Sequence, residues 1–271
     1  MGLVSSVGDQ LIWYSESGSG PLLVLVHGWG MDHTVWDRCI PLLSTRYRLL
    51  AVDLRGHGAS GQLGAGTLAD HTNDLHRLLQ SLGVERAGIV GWSLGAQVAL
   101  SLAIEHPSQV SGLVLIGATP QFVQSAAFPH GLSLAALVGM QKKVSVSPSR
   151  SMAGFHGLLF SEHERSHNDY PLVCDLVHQV VVPSAPVLLA GLTQLHEVSL
   201  LGMLSAVQCP VTLIHGSEDQ VCPIEAGWAL ADCLTGSVRV ELPDAGHAPL
   251  LTMPKRVVEG IQQLCERIGE W

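Results

Sequence analysis

The chain has 271 residues, 47% hydrophobic and 14% charged, with a formal net charge of −9. This composition excludes a disordered chain and allows one or two domains around a sizeable core. The acidic balance argues against nucleic acid or an anionic membrane as the main partner and leaves small-molecule chemistry as the default.

Cys39, Cys174, Cys209, Cys222, Cys233 and Cys265 are scattered without C-x-x-C spacing. A chain of this size needs no disulfide staples, so they read as reduced thiols, and no metal site is expected from them. No basic region followed by an apolar stretch opens the sequence, and no apolar run is long enough to span a bilayer. A cytoplasmic protein with no signal peptide is the expectation. Met1–Ser6 fits the loose myristoylation pattern, but so short a match carries no weight, and one acyl chain anchors only marginally.

In chain order, Gln10–Tyr14 and Leu22–Val26 read as strands separated by a Gly/Pro-punctuated turn, an antiparallel edge leading inward. His27–Gly30 ends the second strand. Met31 to Leu43 carries Val35, Ile40, Leu42 and Leu43 at helical spacing, with Asp32 or Thr34 as cap. Tyr47–Val52 is strand-like, Asp53–Gly58 a turn, and Leu68–Leu82 a helix with Leu75, Leu78, Leu79 and Leu82 on one side. Gly88–Val90 is a short buried strand, Leu94–His106 a helix and Val110–Ile116 the next strand. Strand and helix alternate, which implies an α/β fold with a mostly parallel sheet, helices on both faces, and a ligand site beyond the C-terminal strand ends.

From Gln121 to Gly202 the alternation stops, and a helical stretch broken by Pro183–Pro186 takes over. Val211–His215 and Ser237–Leu242 resume the strand pattern, with helices over Ile224–Leu234 and Lys255–Ile268. Residues 121–202 are therefore expected to form a helical cap inserted into a core made of residues 1–120 and 203–271.

The chemistry centres on Ser93, which Gly91 and Gly95 flank at G-x-S-x-G spacing between a strand and a helix. Small residues are needed there because a strand turning straight into a helix crowds the chain on both sides of the nucleophile. A serine hydroxyl is a weak nucleophile, so it needs a base and a group that orients the base. Two later strand ends offer them in the order expected of such an elbow: Asp219 after Val211–His215, and His247 after Ser237–Leu242. Glu218 and Asp244 compete with Asp219 for the acid role. The backbone amides of Trp29 and Leu94 are the candidate oxyanion donors. Neither G-x-G-x-x-G nor a phosphate-binding G-x-x-x-x-G-K occurs in a strand–turn–helix context, so no nucleotide cofactor is expected.

Leu25–Gly30, Val52–Ser60, Val90–Gly95 and Ala245–Pro249 together resemble the serine α/β-hydrolase superfamily over nearly the whole length. Within it, His27-Gly-Trp-Gly30, Gly91-Trp-Ser-Leu-Gly95 and His247-Ala-Pro249 make the chain similar to the pimeloyl-(acyl-carrier protein) methyl ester esterases of biotin synthesis. The resemblance implies attack by Ser93 on an ester carbonyl, proton transfer by His247 oriented by Asp219, and a cap that holds the acyl chain and meets an acyl carrier protein. Lys142, Lys143 and Arg150 are the candidate carrier contacts, in a cap region that with them is near charge balance. Trp29, Trp92 and Phe155 are expected to bind substrate, and Phe122, Phe128, Met140, Leu158 and Leu159 are further candidates for an apolar lining. No cofactor or metal is implied, and a monomer is expected, without nucleic-acid or membrane partners.

Overall fold

The computed structural model describes residues 2–7 and 10–269, with side chains described from Ile12 onward. Its strands are β1 (Gly2–Val7), β2 (Gln10–Ser17), β3 (Leu22–Val26), β4 (Arg48–Val52), β5 (Ala87–Trp92), β6 (Val110–Ile116), β7 (Val211–Gly216) and β8 (Val238–Leu242). They form one eight-stranded sheet in the order β1-β2-β4-β3-β5-β6-β7-β8. β1 and β2 pair antiparallel with each other, as β2 does with β4, and every later pairing is parallel. β3, β5, β6 and β7 are buried at every position, as central parallel strands covered on both faces must be.

Between β3 and β6 lie α1 (Ile40–Leu43), α2 (Leu68–Ser81) and α3 (Leu94–Glu105). α2 starts at a reciprocal capping box in which Thr67 and Asp70 satisfy each other's backbone amides. Five helices then fill the interval between β6 and β7: α4 (Leu134–Val146), α5 (Pro148–Leu158), α6 (Glu162–Arg165), α7 (Tyr170–Gln179) and α8 (Ala185–Glu197). α9 (Ile224–Cys233), α10 (Pro249–Thr252) and α11 (Pro254–Ile268) complete the chain, α11 burying Val257, Val258, Ile261 and Leu264. Among the described residues no helix is long and apolar enough to cross a membrane.

Two local expectations are corrected. β2 and β3 are not neighbours: β4 lies between them, with Tyr14 opposite Val52 and Glu16 opposite Leu50. The all-apolar β3 takes a central position, while β2, with Ser15, Glu16 and Ser17 only partly buried, lies further out, where Glu16 accepts a hydrogen bond from Arg48 Nε at 2.6 Å. The expected helix from Met31 to Leu43 is broken into a 3-10 turn, His33–Trp36, and the short α1. Asp32 caps the turn by accepting from the Thr34 amide at 3.0 Å, and Pro41, which has no N–H to bond back into a preceding turn, restarts the helix.

Because β3 to β8 run parallel, the loops that follow them open at one edge of the sheet. That edge carries His27–Gly30, Asp53–Gly58, Ser93, Gly117, Asp219 and His247.

Candidate active site

β5 passes into α3 through Ser93 with no intervening loop. A Cβ on Gly91 would stand 2.3 Å from the Gly95 carbonyl oxygen, and one on Gly95 would stand 2.3 Å from that of Val26. Only glycine fits at either position, which is the steric content of the G-x-S-x-G spacing. Ser93 itself has φ 56° and ψ −114°. A non-glycine residue in that region costs about 1–3 kcal/mol and persists only where its surroundings hold it. Here the Ser93 amide donates to the Ile116 carbonyl at 2.9 Å, and α3 is buried along nearly its whole length. Leu94 then occupies the first helical position, whose N–H has no acceptor within the helix.

Asp219 and His247 come together from the loops after β7 and β8. Asp219 Oδ1 accepts from the Val221 and Cys222 amides, both at 2.8 Å, and Oδ2 accepts from His247 Nδ1 at 2.7 Å. Burial pushes the Asp219 carboxyl upward, but the charge of His247 and the bonds from His215 and His247 outweigh it and hold the group well below the usual carboxylate range. An ionised Asp219 fixes the proton of His247 on Nδ1 and leaves Nε2 as a lone-pair acceptor. That nitrogen is buried and has no partner among the described residues. Glu218 and Asp244, the competing acids, are both exposed.

His247 is held from several sides. Its carbonyl accepts the Trp92 indole N–H at 2.8 Å, and the two rings lie 5.6 Å apart. Gly117, directly after the residue that binds the Ser93 amide, approaches the imidazole so closely that a Cβ would stand 3.0 Å from Nδ1. His215 is a second imidazole beside the acid, its Nε2 2.8 Å from the Cys222 carbonyl and 3.3 Å from Asp219 Oδ2. Burial pulls the His215 pKa down, and the hydrogen bond and charge of Asp219 reverse this to a net rise.

The loop after β3 is braced by two buried histidines that the spacing of motifs did not single out. His57 Nε2 accepts from the Gly30 amide at 3.3 Å, and His27 Nε2 accepts from the Leu54 amide at 3.0 Å. Both roles need a neutral ring, and burial supplies it: the His27 pKa is pulled down to about 3 and that of His57 is also lowered. With Gly30 bonded to His57 and Met31 to the Gly28 carbonyl, the Trp29 amide has no partner among the described residues.

A cavity of about 380 Å³ opens on Ser93. Trp29, Phe122, Met140, Phe155, Leu158, Leu192 and Val221 line it, with Lys143 and Gln220 as polar members. Trp29 meets Phe155 edge to face at 5.1 Å and donates its indole N–H to the Leu188 carbonyl of α8 at 3.0 Å. A second, more open groove of about 670 Å³ shares Met140, Lys143, Phe155 and Leu158 with the first and adds Lys142, Val146 and Arg150. Trp92 is a correction: it is absent from the cavity wall, being 1% exposed and engaged with the His247 backbone. Phe128 and Leu159 are buried elsewhere.

Asp32, His33 and Asp53 bring three ligand atoms within 4.8 Å of one another. Asp32 Oδ1 and both oxygens of Asp53 already accept hydrogen bonds that build turns. Asp32 Oδ1 accepts from Thr34, Asp53 Oδ1 from the His33 amide and ring, and Asp53 Oδ2 from the Ala59 amide. None of the three lines the cavity at Ser93.

A parallel sheet with an elbow serine, and an acid and histidine joined at the following strand ends, is the arrangement of a hydrolase. Residues 21–254 match the alpha/beta hydrolase fold family, and the chain belongs to that family. Its sequence is 35% identical over 247 residues to a pimeloyl-[acyl-carrier protein] methyl ester esterase from Nitrosomonas europaea, covering 91% of this chain and 96% of that protein. A protein of the same name from Pectobacterium carotovorum is 32% identical over 251 residues, covering 93% and 96% respectively. Among solved structures, a bromoperoxidase from Bacillus anthracis superposes with a TM-score of 0.89 at 23% identity, covering 98% of this chain and all of that one, a likeness of fold.

Proposed function

We propose that the chain hydrolyses carboxylic esters through an acyl-enzyme on Ser93, and that its substrate is the methyl ester of a pimeloyl chain carried by an acyl carrier protein. The observation that carries the reading is the 2.7 Å bond from His247 Nδ1 to a buried, ionised Asp219, with His247 Nε2 unpartnered among the described residues and Ser93 in the wall of an apolar cavity. Ser93 Oγ attacks the ester carbonyl while His247 Nε2 takes its proton. The Trp29 and Leu94 amides receive the oxyanion; losing one such donor costs about 10²–10³ in rate. The tetrahedral intermediate collapses, the C–O bond to the methoxy group breaks, and His247 returns the proton to give methanol. Water then attacks the acyl-enzyme, losing a proton to His247, which passes it to Ser93 as the free acid leaves.

Residues 121–202 act as a cap over this site. The cavity's length of apolar wall, Phe122 to Leu195, suits an acyl chain, and the adjoining groove with Lys142, Lys143 and Arg150 suits an acidic carrier protein. The names and 32–35% identity of the relatives support the same substrate. The test compares the methyl pimeloyl-carrier ester with p-nitrophenyl esters of rising chain length, together with complementation of a biotin auxotroph lacking its methyl ester esterase. Growth restored by wild type and not by Ser93→Ala is expected. Turnover of simple esters without turnover of the carrier-bound ester would remove the substrate assignment and leave the esterase.

A further inference from the structure

The loop that carries His247 is gripped from two sides. On one, the Asp244 amide donates to Ser217 Oγ at 2.9 Å and the Ala245 carbonyl accepts from the Glu218 amide at 2.9 Å, both ties to the neighbouring loop after β7. On the other, the partner is Leu159–Glu164, the turn from α5 into α6. Ser161 Oγ donates to the Asp244 carbonyl at 2.6 Å, the Gly246 amide donates to Glu164 Oε2 at 2.8 Å, and the Ala248 amide donates to the Leu159 carbonyl at 3.2 Å. Thr252 Oγ1 donates to Glu164 Oε1. The histidine thus sits between two residues, Gly246 and Ala248, whose amides are both held by the segment lying between β6 and β7.

Glu164 is the centre of this clamp. Its first duty is local: Oε2 accepts from the Ser161 amide at 2.8 Å and completes a capping box for α6. A capping box alone asks for no burial and leaves the other lone pairs of the carboxylate to water. Here Glu164 is 3% exposed, and those lone pairs take the Gly246 amide on Oε2 and the Thr252 hydroxyl on Oε1. The approach is close enough to dictate sequence, since a Cβ on Gly246 would stand 2.6 Å from the Leu159 carbonyl oxygen and 2.9 Å from Glu164 Oε2. Three residues before Ser161, the same stretch of chain supplies Leu158 to the wall of the cavity at Ser93.

We propose that Glu164 is a positioning residue for His247, a buried carboxylate from the helical segment that fixes the histidine loop through Gly246 and Thr252. The proposal rests on the esterase reading for its consequence in catalysis. It makes the helical segment a part of the proton-transfer apparatus as well as a wall for the acyl chain. A general base displaced by a fraction of an ångström loses rate without losing substrate, so the effect falls on kcat and spares KM.

The test uses the full chain with Glu164→Ala and Glu164→Gln. Active sites are counted by intact mass after fluorophosphonate labelling to completion. Hydrogen exchange is followed in the 244–252 peptide. Glu164→Ala is expected to lower kcat per active site by about tenfold to a hundredfold, with KM little changed, and to speed exchange in 244–252 while β5 and β6 stay protected. Glu164→Gln recovers most of both, because the amide oxygen can accept the two N–H groups and the NH₂ can donate to Thr252 Oγ1. Wild-type kcat per site in Glu164→Ala, unchanged exchange in 244–252, or a Gln variant as impaired as Ala overturns the proposal. If Glu164→Ala does not fold, Thr252→Val decides: faster exchange in 244–252 with a lower kcat supports the clamp, and wild-type values of both overturn it. Should the wild type turn over no ester, the hydrolase reading falls, while the exchange measurement still tests the clamp.

Discussion

The sheet and the helical segment between β6 and β7 solve different problems. β3, β5, β6 and β7 are buried at every position, and the groups proposed to move protons stand just beyond strand ends, Ser93 after β5, Asp219 after β7 and His247 after β8, each pinned by backbone bonds. Of the eight large apolar side chains left exposed among the described residues, Leu134, Val138, Val146, Leu158, Leu172 and Val181 belong to the helical segment. Bond-making chemistry needs positions fixed to a fraction of an ångström, and a close-packed sheet edge supplies them. Recognition of an acyl chain needs apolar surface that is still open to an arriving ligand, and helices lying outside the sheet supply that.

If this division holds, changes at the sheet edge remove turnover of every ester alike. Ser93→Ala is expected to lower kcat by about 10⁴-fold or more and to abolish fluorophosphonate labelling; a loss that varied with acyl chain length would break the comparison. Asp219→Asn comes next, at about 10³–10⁴, because an amide no longer dictates which nitrogen of His247 carries the proton. Asp219 also bears on stability. Its pKa is held below the unfolded value near 3.8, so its contribution is fully present above that value and fades as pH falls toward the folded one. The melting temperature of Asp219→Asn is accordingly expected below wild type at pH 7, with the gap closing in acid.

Much of the sheet edge was legible because each feature has a local cause. Gly91 and Gly95 are needed by the sterics of one turn, and Asp219 and His247 follow the strand patterns Val211–His215 and Ser237–Leu242. Other features depend on partners far along the chain. β1 pairs with β2, but nothing in Gly2–Val7 announced a strand, and β2 joins β4 because β3 is claimed from both sides. Proximity to Ser93 in sequence points Trp92 to the substrate. Successive residues of an extended strand point to opposite faces, which is a signal that could have turned it away from the cavity. Glu164 caps α6 through Ser161, three residues away, whereas its second partner, Gly246, lies 82 residues away and leaves no trace in the local pattern. His27 and His57 likewise accept amides across 27 residues.

Changes in the helical segment should sort substrates rather than abolish chemistry. Phe155→Ala, which enlarges the cavity beside Trp29, is expected to raise KM about tenfold for longer acyl chains, with less effect on acetyl esters. Acid separates the two regions in another way. Burial holds His27 and His71 at about 3 and His156 of α5 at about 4, aided by His57 for the first two and by His178 for the third. The unfolded chain takes up protons near 6.5 that the folded chain refuses, so stability is full above that pH and falls as pH drops through the window between the two values. Each such group steepens the fall by up to about 1.4 kcal/mol per pH unit. Both ring nitrogens of His156 are buried without hydrogen-bond partners among the described residues, so His156→Leu is expected to flatten the melting curve between pH 6.5 and 4 without changing turnover at pH 7.

The smallest expected effect lies furthest from the sheet. Lys142 and Arg150 are exposed on the outer groove, and neither lines the cavity at Ser93. In the proposed function their field would act on an approaching charged carrier rather than on a bound ester. Lys142→Glu with Arg150→Glu is therefore expected to leave p-nitrophenyl ester turnover near wild type. For a carrier-bound ester the same change lowers kcat/KM by about tenfold at low ionic strength, since reversal of a local patch removes steering without touching the reacting atoms. Because the Debye length shrinks from about 10 Å at 0.1 M salt to about 3 Å at 1 M, the difference between variant and wild type should close as salt is added. Equal losses for both substrates would place these residues in the acyl site and erase the distinction between a chemical edge and a recognition surface. A loss confined to the carrier-bound ester, and removed by salt, sharpens it to two side chains.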